Sequence, residues 1–516
     1  MWGGPQRVCG IGGGRGGIGA CPTGFPGTRA SFISSNMNRT LLAVLLCSQL
    51  ATAAPAYCAD LPDLGEVSDA SMSLADEARI GASAMRELAE ENALIDDVEV
   101  ISYLNWLGGR LASGAQIPGL HFTFFAVNDY AINAFAMPGG YVGVYAGLML
   151  TAQSEGELAS VIGHEMAHVT QRHMARMQAS SSGSQLMVLA AILGAALAAR
   201  SGNGDLAFGT LNAGIGLTVA NQLSFSRDFE READRVGMQY LASGGFDVRS
   251  MPQFFQRLQQ ADHFSDSNAY AFLRTHPVTS ERISEAQNRA EAYPSVMRTD
   301  STEFLLVREK LRLMHLDVPS AQSYYRTSLA TGRYLNEGAQ WYGLARTRLM
   351  AHDVPGARQA LAQARAKLPP DPMLETLDAD IARETRNWTA AAAIYRAALQ
   401  RFPLNRALAV DEIANLIDSG AREAALARLR AGLEKDPGDA VLYRLQARIY
   451  ADRDALRFHA AMGNALYFER RYEQALEQYQ LASKAPGDDF YLRSSIEARS
   501  RELTKKVKEE KAAGKP

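Results

Sequence analysis

The sequence predicts an α+β fold that is mostly helical, in which a mixed domain with a small β-sheet is followed by an all-α repeat solenoid. Strand-like and helix-like segments are mixed between about residues 60 and 295. Beyond about residue 300 the chain is rich in alanine and arginine, and helical patterns recur with a period near 34 residues. These two observations predict the order of the two regions.

Composition limits the class of protein. The chain has 516 residues, of which 47% are hydrophobic and 21% charged, as in ordinary globular proteins. This length predicts about three structural units. The 53 basic and 56 acidic residues give a net charge of −3, so no basic excess indicates binding to nucleic acid.

The cysteines are confined to the N-terminal region. They are Cys9, Cys21, Cys47 and Cys58, and no cysteine follows. This distribution excludes a scaffold held together by disulfides. It also excludes a thiolate metal site in the body of the protein.

The N-terminal region predicts export. A basic residue and an apolar run over residues 39–50 follow Met37, and alanine-rich sequence follows that run, as in a cleavable signal peptide at residues 37–59. The apolar run is shorter than the roughly 20 residues of a membrane-spanning helix. We expect residues 1–36 to be a non-native leader from a misplaced start, the alternative being a genuine flexible leader. The signal predicts a periplasmic protein that is soluble or peripheral.

The mixed domain is predicted at residues 60–295. Aromatic and β-branched residues predict a strand at 122–127, and two strand-like runs around Pro138-Gly139-Gly140 predict a hairpin. Helical spacing of apolar residues predicts one helix over residues 155–177, with acidic residues near its start.

A repeat array is predicted at residues 296–500. Small residues recur at spacings of 36, 34, 34 and 50, at Ala321, Ala357, Ala391, Ala425 and Ala475. Tyrosine or leucine stands four residues after each alanine. This pattern resembles the tetratricopeptide repeat, whose concave surface binds peptides or partner proteins. The alternative is an irregular helical bundle. Residues 501–516 are predicted to be a solvated charged tail.

A metal motif lies within the predicted helix. His164 and His168 are four residues apart, so both rings can face one Zn²⁺ ion, and Glu165 is then placed beside a water at that ion. The small and apolar residues Met166 and Ala167 favour a buried helix. The alternative is a pair of surface histidines on an exposed helix.

The third metal ligand is predicted by elimination. No Asp or Glu occurs between residues 169 and 204, which excludes the short-range glutamate of thermolysin-like enzymes, and the sequence after His168 lacks the metzincin spacing. In the acidic cluster at 226–234, Glu230 and Asp234 share one helix face and Glu232 points away. Glu230 can therefore bind zinc while Asp234 hydrogen-bonds a ligand histidine. A solvated charged helix is the alternative for this cluster alone.

These motifs carry a family resemblance. The His164–His168 motif, the cluster at 226–234 and the segment 133–140 resemble the zinc metallopeptidases that include HtpX and the CAAX prenyl proteases, over about residues 75–290. The resemblance implies a zincin-like metalloprotease domain that binds one Zn²⁺ through His164, His168 and Glu230. It also implies Glu165 as catalytic base and Asp234 as an assisting acid. Unlike the membrane members of the family, this chain has no predicted transmembrane helices.

The export signal and the repeats make the expected function more specific. Together with them, the resemblance implies a periplasmic endopeptidase that degrades misfolded or stalled outer-membrane β-barrel precursors, with the β-barrel assembly machinery as partner. Peripheral contact with the outer membrane is also possible. The competing hypothesis is a chaperone or assembly adaptor whose protease is largely latent. The hairpin is expected to offer an edge strand to extended substrates.

Two features of the sequence have more than one interpretation. His276 could stabilise the oxyanion, could occupy the open zinc position and hold the enzyme latent, or could be a loop histidine before a helix near Thr279. Residues 186–199 are continuously apolar. They could form a buried helix or a lid over the cleft, or they could contact the membrane surface or a barrel partner.

Overall fold

The computed structural model describes residues 72–114, 119–180, 226–263 and 270–513, all within the compact unit Gly65–Pro516. The predicted leader, the signal peptide and the apolar residues 186–199 lie outside the described residues. Among the described helices, none combines the length and the apolar character needed to cross a membrane.

Two helices begin the mixed domain. Helix α1 spans Leu74–Glu90 and helix α2 spans Val98–Ala112. Each has a polar N-cap, because Ser73 accepts a hydrogen bond from the Asp76 N–H and Asp97 accepts from the Glu99 and Val100 N–H groups. The buried side of α2 packs on the first strand of the sheet and on the core of the domain.

The sheet has three strands in the order β1-β3-β2, with bounds of Thr123–Val127 for β1, Ala134–Met137 for β2 and Tyr141–Tyr145 for β3. Strands β2 and β3 are antiparallel, which confirms the predicted hairpin, and β1 runs parallel to β3. The turn uses Gly140 at φ +89°, where a Cβ would also lie 2.3 Å from the His121 carbonyl oxygen. Glycine is therefore required at this position.

Seven helices that the structure describes follow the sheet. They are α3 Ala146–Thr151, α4 Glu155–Thr170, α5 His173–Ser180, α6 Arg227–Ser243, α7 Ser250–His263, α8 Tyr270–Thr275 and α9 Ser280–Ala290. The prediction of one helix over 155–177 was wrong in its length. The helix is interrupted at Arg172, which has φ +52° and forms an ion pair of 2.9 Å with Glu77. This contact with α1 is long-range, so local periodicity does not encode it.

Helices α4 and α6 approach each other through glycines. A Cβ on Gly237 of α6 would lie 3.0 Å from the His164 backbone nitrogen, and one on Gly163 would lie 3.2 Å from the Gly237 carbonyl oxygen. Because neither residue has a side chain, the two backbones pack closely at this point. The polar residues of α6 therefore come within reach of the histidines of α4.

The second region is a series of helix pairs. Its helices are α10 Thr302–His315, α11 Val318–Thr331, α12 Glu337–Met350, α13 Val354–Lys367, α14 Pro372–Glu384, α15 Trp388–Arg401, α16 Arg406–Asp418, α17 Arg422–Lys435, α18 Ala440–Tyr450, α19 Ala455–Phe468, α20 Tyr472–Lys484 and α21 Phe490–Ala513. The five recurring alanines are fully buried, as are the tyrosines and leucines four residues later. The predicted all-α repeat solenoid is confirmed.

Two details of this region differ from the sequence pattern. The 50-residue spacing before Ala475 contains two helices, α18 and α19, where each of the other spacings contains one. Helix α21 also continues through the segment predicted as a charged tail. Its Leu503 and Val507, four residues apart, are buried against α19 and α20, and this contact holds the helix on the array.

The repeat array contacts the mixed domain along its length. Lys310 of α10 lies 2.7 Å from the N-cap carboxylate of Asp97. Val98 at the start of α2 packs against the apolar core of α16, α17 and α18. Near the far end, the Arg470 guanidinium lies 5.7 Å from the centre of the Tyr141 ring, in β3. One continuous apolar core runs from α2 into α14.

Candidate metal centre

Helix α4 carries both histidines of the predicted motif on one side. Its N-terminus is capped by Ser154, which accepts a hydrogen bond from the Glu157 N–H. His164 and His168 are each 1% exposed, and their Nε2 atoms lie 3.0 Å apart. The four-residue spacing therefore places two imidazoles at one buried point.

Glu230 of α6 reaches the same point. Its carboxylate oxygens lie 3.5 Å from His164 Nε2 and 3.5 Å from His168 Nε2. One ligand atom from each of His164, His168, Glu230 and His276 fits within 4.8 Å of all the others. The structure therefore brings the three predicted ligands together and adds His276 to them.

Asp234 lies behind His164, one helical turn beyond Glu230. Its Oδ1 is 2.9 Å from His164 Nδ1. Arg282 of α9 donates to both Asp234 oxygens at 2.8 and 2.9 Å, and its Nη1 is 2.7 Å from Glu230 Oε2. Burial opposes ionisation of Asp234, but Arg282 and His164 hold its pKa below the ordinary value.

A second chain of polar contacts lies behind His168. Its Nδ1 is 2.9 Å from Nδ1 of the fully buried His173, and His173 Nε2 is 3.1 Å from Glu232. Because a carboxylate accepts hydrogen bonds, His173 donates through Nε2 and accepts from His168 through Nδ1. Glu232 points away from Glu230 and Asp234, as predicted, and it also pairs with Arg176 at 2.8 Å.

This arrangement fits a metal ion. Nδ1 of His164 lies 2.9 Å from Asp234 Oδ1 and Nδ1 of His168 faces His173, so the Nε2 atoms of the two rings, 3.0 Å apart, face each other at the centre of the cluster. A cation is needed between them, either a proton or a metal ion. Although burial opposes its charge, the carboxylates of Asp234 and Glu230 raise the pKa of His164 above its ordinary value, so the site favours a positive charge. Imidazoles with a carboxylate are donors that divalent transition metals take.

Glu165 lies beside this cluster and is 1% exposed. Its carboxylate oxygens make no well-aligned hydrogen bond to any residue that the structure describes. Its Oε1 lies 3.5 Å from His276 Nε2. Burial raises the pKa of Glu165, and the nearby His276 and His164 offset this rise only in part. A carboxylate in this state is well placed to accept and return a proton.

His276 belongs to the cluster rather than to a surface loop. Its Nδ1 lies 2.9 Å from Glu230 Oε1 and 3.4 Å from His164 Nε2, and its ring stacks on Phe272. The N-cap of α9 is Thr279, which accepts a hydrogen bond from the Arg282 N–H. His276 therefore has no capping role, and its imidazole faces the three predicted ligands.

The sequence did not indicate three of the residues that support this centre. Arg282 is 48 residues from Asp234 and Glu232 is 59 residues from His173, so neither contact leaves a local pattern. His173 follows His164 by nine residues, which is not the metzincin spacing, so the sequence assigned it no role. Buried arginine and histidine within helical patterns were the available signals.

Known protein families match each of the two regions separately. Residues 102–290 match peptidase family M48, and residues 382–449 match a tetratricopeptide repeat family. The beta-barrel assembly-enhancing protease of Escherichia coli is 31% identical over 353 residues, which are 68% of this chain and 72% of that protein. The chain belongs to the family of the beta-barrel assembly-enhancing proteases. As a member of this family it is a metalloprotease.

Other relatives share smaller parts. A protein of Vibrio cholerae is 36% identical over 271 residues, and the chain spans 56% of its length. The beta-barrel assembly-enhancing protease of Yersinia pestis is 32% identical over 310 residues, 60% of this chain and 63% of that protein. A mitochondrial metalloendopeptidase of Arabidopsis thaliana is 28% identical over 230 residues, 44% of each chain. The similarity is therefore strong within the family and extends more weakly to mitochondrial peptidases.

Proposed function

We propose that the protein is a zinc-dependent endopeptidase of the periplasm that degrades misfolded or stalled outer-membrane β-barrel proteins. One observation carries the catalytic part of the proposal, namely the convergence of His164, His168 and Glu230 on one buried point beside Glu165. The name of the Escherichia coli relative, beta-barrel assembly-enhancing protease, supports the substrate class.

The metal ligands in this proposal are His164, His168 and Glu230, which hold one Zn²⁺ per chain. Two imidazoles and one carboxylate form a ligand set found in catalytic zinc sites, where a further position stays open. The chemistry supplied by a bound zinc ion is Lewis acidity towards a water molecule and a peptide carbonyl. Asp234 and His173 hold the two ligand rings in the orientation that this requires.

Glu165 is the catalytic base in this proposal. It takes the proton of the attacking water and delivers it to the leaving amine, so the same carboxyl group acts first as base and then as acid. Burial supports this role, because it brings the pKa of Glu165 up from its ordinary value. Asp234, which the resemblance gives as an assisting acid, acts through the imidazole of His164.

Strand β2 is proposed to bind the substrate. The Tyr145 N–H donates to the Asn133 carbonyl, so alternate residues of β2 pair with β3, and the backbone groups of Ala134 and Ala136 face the other edge. The backbone of Ala136 also lies against Glu165. An extended peptide added to this edge would pass the proposed base, which favours unfolded or strand-like substrates.

His276 has two possible roles in the proposal. As a fourth ligand at the metal it would hold the enzyme latent, and as a donor to the oxyanion it would speed the reaction. The His276→Ala variant separates these roles. Faster peptide hydrolysis supports latency, whereas a loss of about 10²- to 10³-fold supports the oxyanion role. Unchanged hydrolysis would discard both roles.

Location and partners complete the proposal. The signal peptide at residues 37–59 would direct export to the periplasm. The mature chain would then comprise a peptidase domain at 60–295, a repeat domain at 296–500 and the terminal segment 501–516. We propose that the repeat array recruits substrates or the β-barrel assembly machinery, since arrays of this type bind peptides and proteins.

The test compares wild type with Glu165→Gln on a stalled β-barrel precursor. We expect hydrolysis to fall by about 10²- to 10⁴-fold while the zinc content stays the same, because the metal ligands are intact. Equal hydrolysis by the two proteins would contradict the assigned base. The alternative function is a chaperone or assembly adaptor with a largely latent protease, which the position of His276 favours. Full rescue of precursor assembly by Glu165→Gln would support that alternative.

A further inference from the structure

A small cavity lies between the end of strand β2, the end of helix α4 and the start of helix α5. Its volume is about 10 Å³, which is room for about one water molecule. The proposed metal ligand His168 forms part of its wall. Six of the lining residues are apolar, namely Ala136, Met137, Pro138, Val169, Met174 and Ala175.

The cavity lies one step along the proposed substrate path from the catalytic base. Ala136, whose backbone lies against Glu165, is also part of the cavity wall. Val169 is one turn of α4 beyond Glu165, a distance of roughly 6 Å. Pro138 is two residues beyond Ala136, a distance of roughly 7 Å in extended chain. A peptide on the open edge of β2 would therefore bring a side chain to the cavity within about two residues of its scissile bond.

Pro138 limits the backbone pairing of a substrate on this side. Alternate residues of β2 face the open edge, and the next position in the series of Ala134 and Ala136 is Pro138. Proline has no backbone N–H, so a substrate strand gains no hydrogen bond from that group. A side chain held in the cavity would supply the next contact that fixes the substrate.

The cavity offers no counter-ion to a charged side chain. Its wall contains Arg172 and Glu77, which form an ion pair of 2.9 Å and neutralise each other. A charged substrate side chain would lose its hydration here without gaining a partner, which is unfavourable. The cavity therefore suits an uncharged side chain.

Met174 of α5 closes one side of the cavity. It is half-buried and packs against the apolar cluster that α1 forms with the sheet. Met137 and His168, also in the wall, are 0% and 1% exposed, so they have little room to withdraw. A methyl group is about as large as a water molecule, so alanine fits, whereas leucine would require Met174 to move.

We propose that this cavity is the specificity pocket of the peptidase, which admits one small uncharged side chain beside the scissile bond and excludes larger ones through Met174. This inference rests on the proposed function, since it takes the open edge of β2 as the substrate path. One extra methylene in an apolar pocket changes selectivity by about 10- to 200-fold. Leucine should therefore be disfavoured against alanine by at least about tenfold.

The first measurement is peptide binding to the full chain carrying Glu165→Gln, followed by fluorescence anisotropy. The probes are two labelled decapeptides, one alternating alanine with serine and the other alternating leucine with glutamine. Every register then presents a small side chain in the first peptide and a large one in the second. We expect the small-residue peptide to bind at least about tenfold more tightly. Adding Met174→Ala should remove this preference, because it widens the pocket.

The matched control is Met350→Ala, the same exchange at an exposed methionine of α12 outside the cavity wall. It should leave the preference unchanged. Val169→Ala widens the pocket from α4 and should act as Met174→Ala does, so the test stays valid if Met174→Ala does not fold. Equal binding of the two peptides, binding of neither, or the same effect from Met350→Ala as from Met174→Ala would overturn the proposal.

The second measurement is a cleavage map of an unfolded β-barrel protein, in which mass spectrometry identifies the new chain ends. We expect wild type to cut where alanine or serine occupies one position within two residues of the scissile bond, and Met174→Ala to accept leucine there. The position that changes shows on which side of the bond the pocket lies. Hydrolysis without such a preference would overturn the pocket and leave the zinc proposal intact. No hydrolysis by wild type, with the binding preference present, would contradict the zinc proposal alone.

Discussion

Asp234 in the metal centre and Asp371 in the repeat array are buried to the same degree, yet the pKa values of their carboxyl groups shift in opposite directions. Asp234 is 3% exposed, and Arg282 and His164 keep its pKa low despite burial. Asp371 is 2% exposed, and burial followed by the nearby Glu303 raises its pKa to about 8. Burial is common to both residues, so the neighbouring charges decide the direction.

The two regions therefore stabilise a buried carboxyl group in different ways. The metal centre places cations beside its carboxylates, so they stay ionised and remain able to bind a metal or orient a histidine. The array uses Asp371 as the N-cap of α14, where it accepts a hydrogen bond from the Met373 N–H at 2.8 Å. A cap needs only an acceptor oxygen, so a protonated carboxyl group suffices there.

The largest expected effect comes from removing the positive charge of Arg282, the buried arginine beside the metal centre. In Arg282→Met, Asp234 and Glu230 lose a buried partner at 2.8 and 2.7 Å. We expect the free energy of unfolding to fall by about 3–5 kcal/mol. Urea unfolding of the chelator-treated protein measures this without a contribution from bound metal.

The matched control for this prediction is Arg365→Met in the array. Arg365 pairs with two partly exposed carboxylates, Glu375 and Asp378, at 2.7 and 2.9 Å. Its loss should cost less than about 1 kcal/mol, because exposed ion pairs contribute little. If the two variants lost the same free energy, the contrast between the two regions would be contradicted.

An intermediate effect is expected from His173→Ala. Without His173, the His168 ring loses its 2.9 Å contact at Nδ1, so its orientation and tautomer are less defined. We expect zinc affinity to fall by about 10- to 100-fold, as measured by competition with a chromogenic chelator.

Two further variants show whether His173 acts by positioning His168. His173→Gln, which can still accept a hydrogen bond, should retain part of the affinity. His352→Ala removes a histidine that is 80% exposed in the array and should leave the affinity unchanged. Identical zinc affinity in wild type and His173→Ala would show that His168 does not depend on this contact.

The smallest expected effect concerns pH and Asp371. Its folded pKa of about 8 is above its ordinary value of 3.8, so the folded state binds the proton more tightly. This contribution to stability is greatest below about pH 4 and is lost as the pH rises through about 8. Between about pH 7 and about pH 9, wild type should lose about 1 kcal/mol from this group.

Asp371→Asn is the variant that tests this pH dependence. Asparagine keeps the N-cap and cannot ionise, so this part of the pH dependence should disappear. The measurement is urea unfolding of both proteins at the two pH values. An equal loss of stability in both proteins would assign the pH dependence to other groups.

The sequence predicted those parts of the site that depend on spacing within one helix. His164 and His168, and likewise Glu230 and Asp234, are four residues apart, and helical geometry places each pair on one face. The meeting of these two helices was predicted from ligand chemistry by elimination. Arg282 was not predicted, because its contact with Asp234 joins residues 48 positions apart and depends on how α9 packs.

The fold was predictable to a similar extent. The repeat period and the hairpin turn are local patterns, and both were found. The parallel pairing of β1 with β3 was not predicted, since a short strand pattern carries no information about its partner. The break at Arg172 was also missed, because an ion pair with Glu77 on a distant helix fixes it.

The contacts along the array have a consequence for how the protein opens. A repeat solenoid ordinarily frays from its free ends, since each end repeat has only one neighbour. Here Lys310 ties the first helix to Asp97, and Arg470 lies over Tyr141 near the other end. Slow hydrogen exchange should therefore extend to the terminal helix pairs, and the two regions should lose their protection together as one cooperative unit.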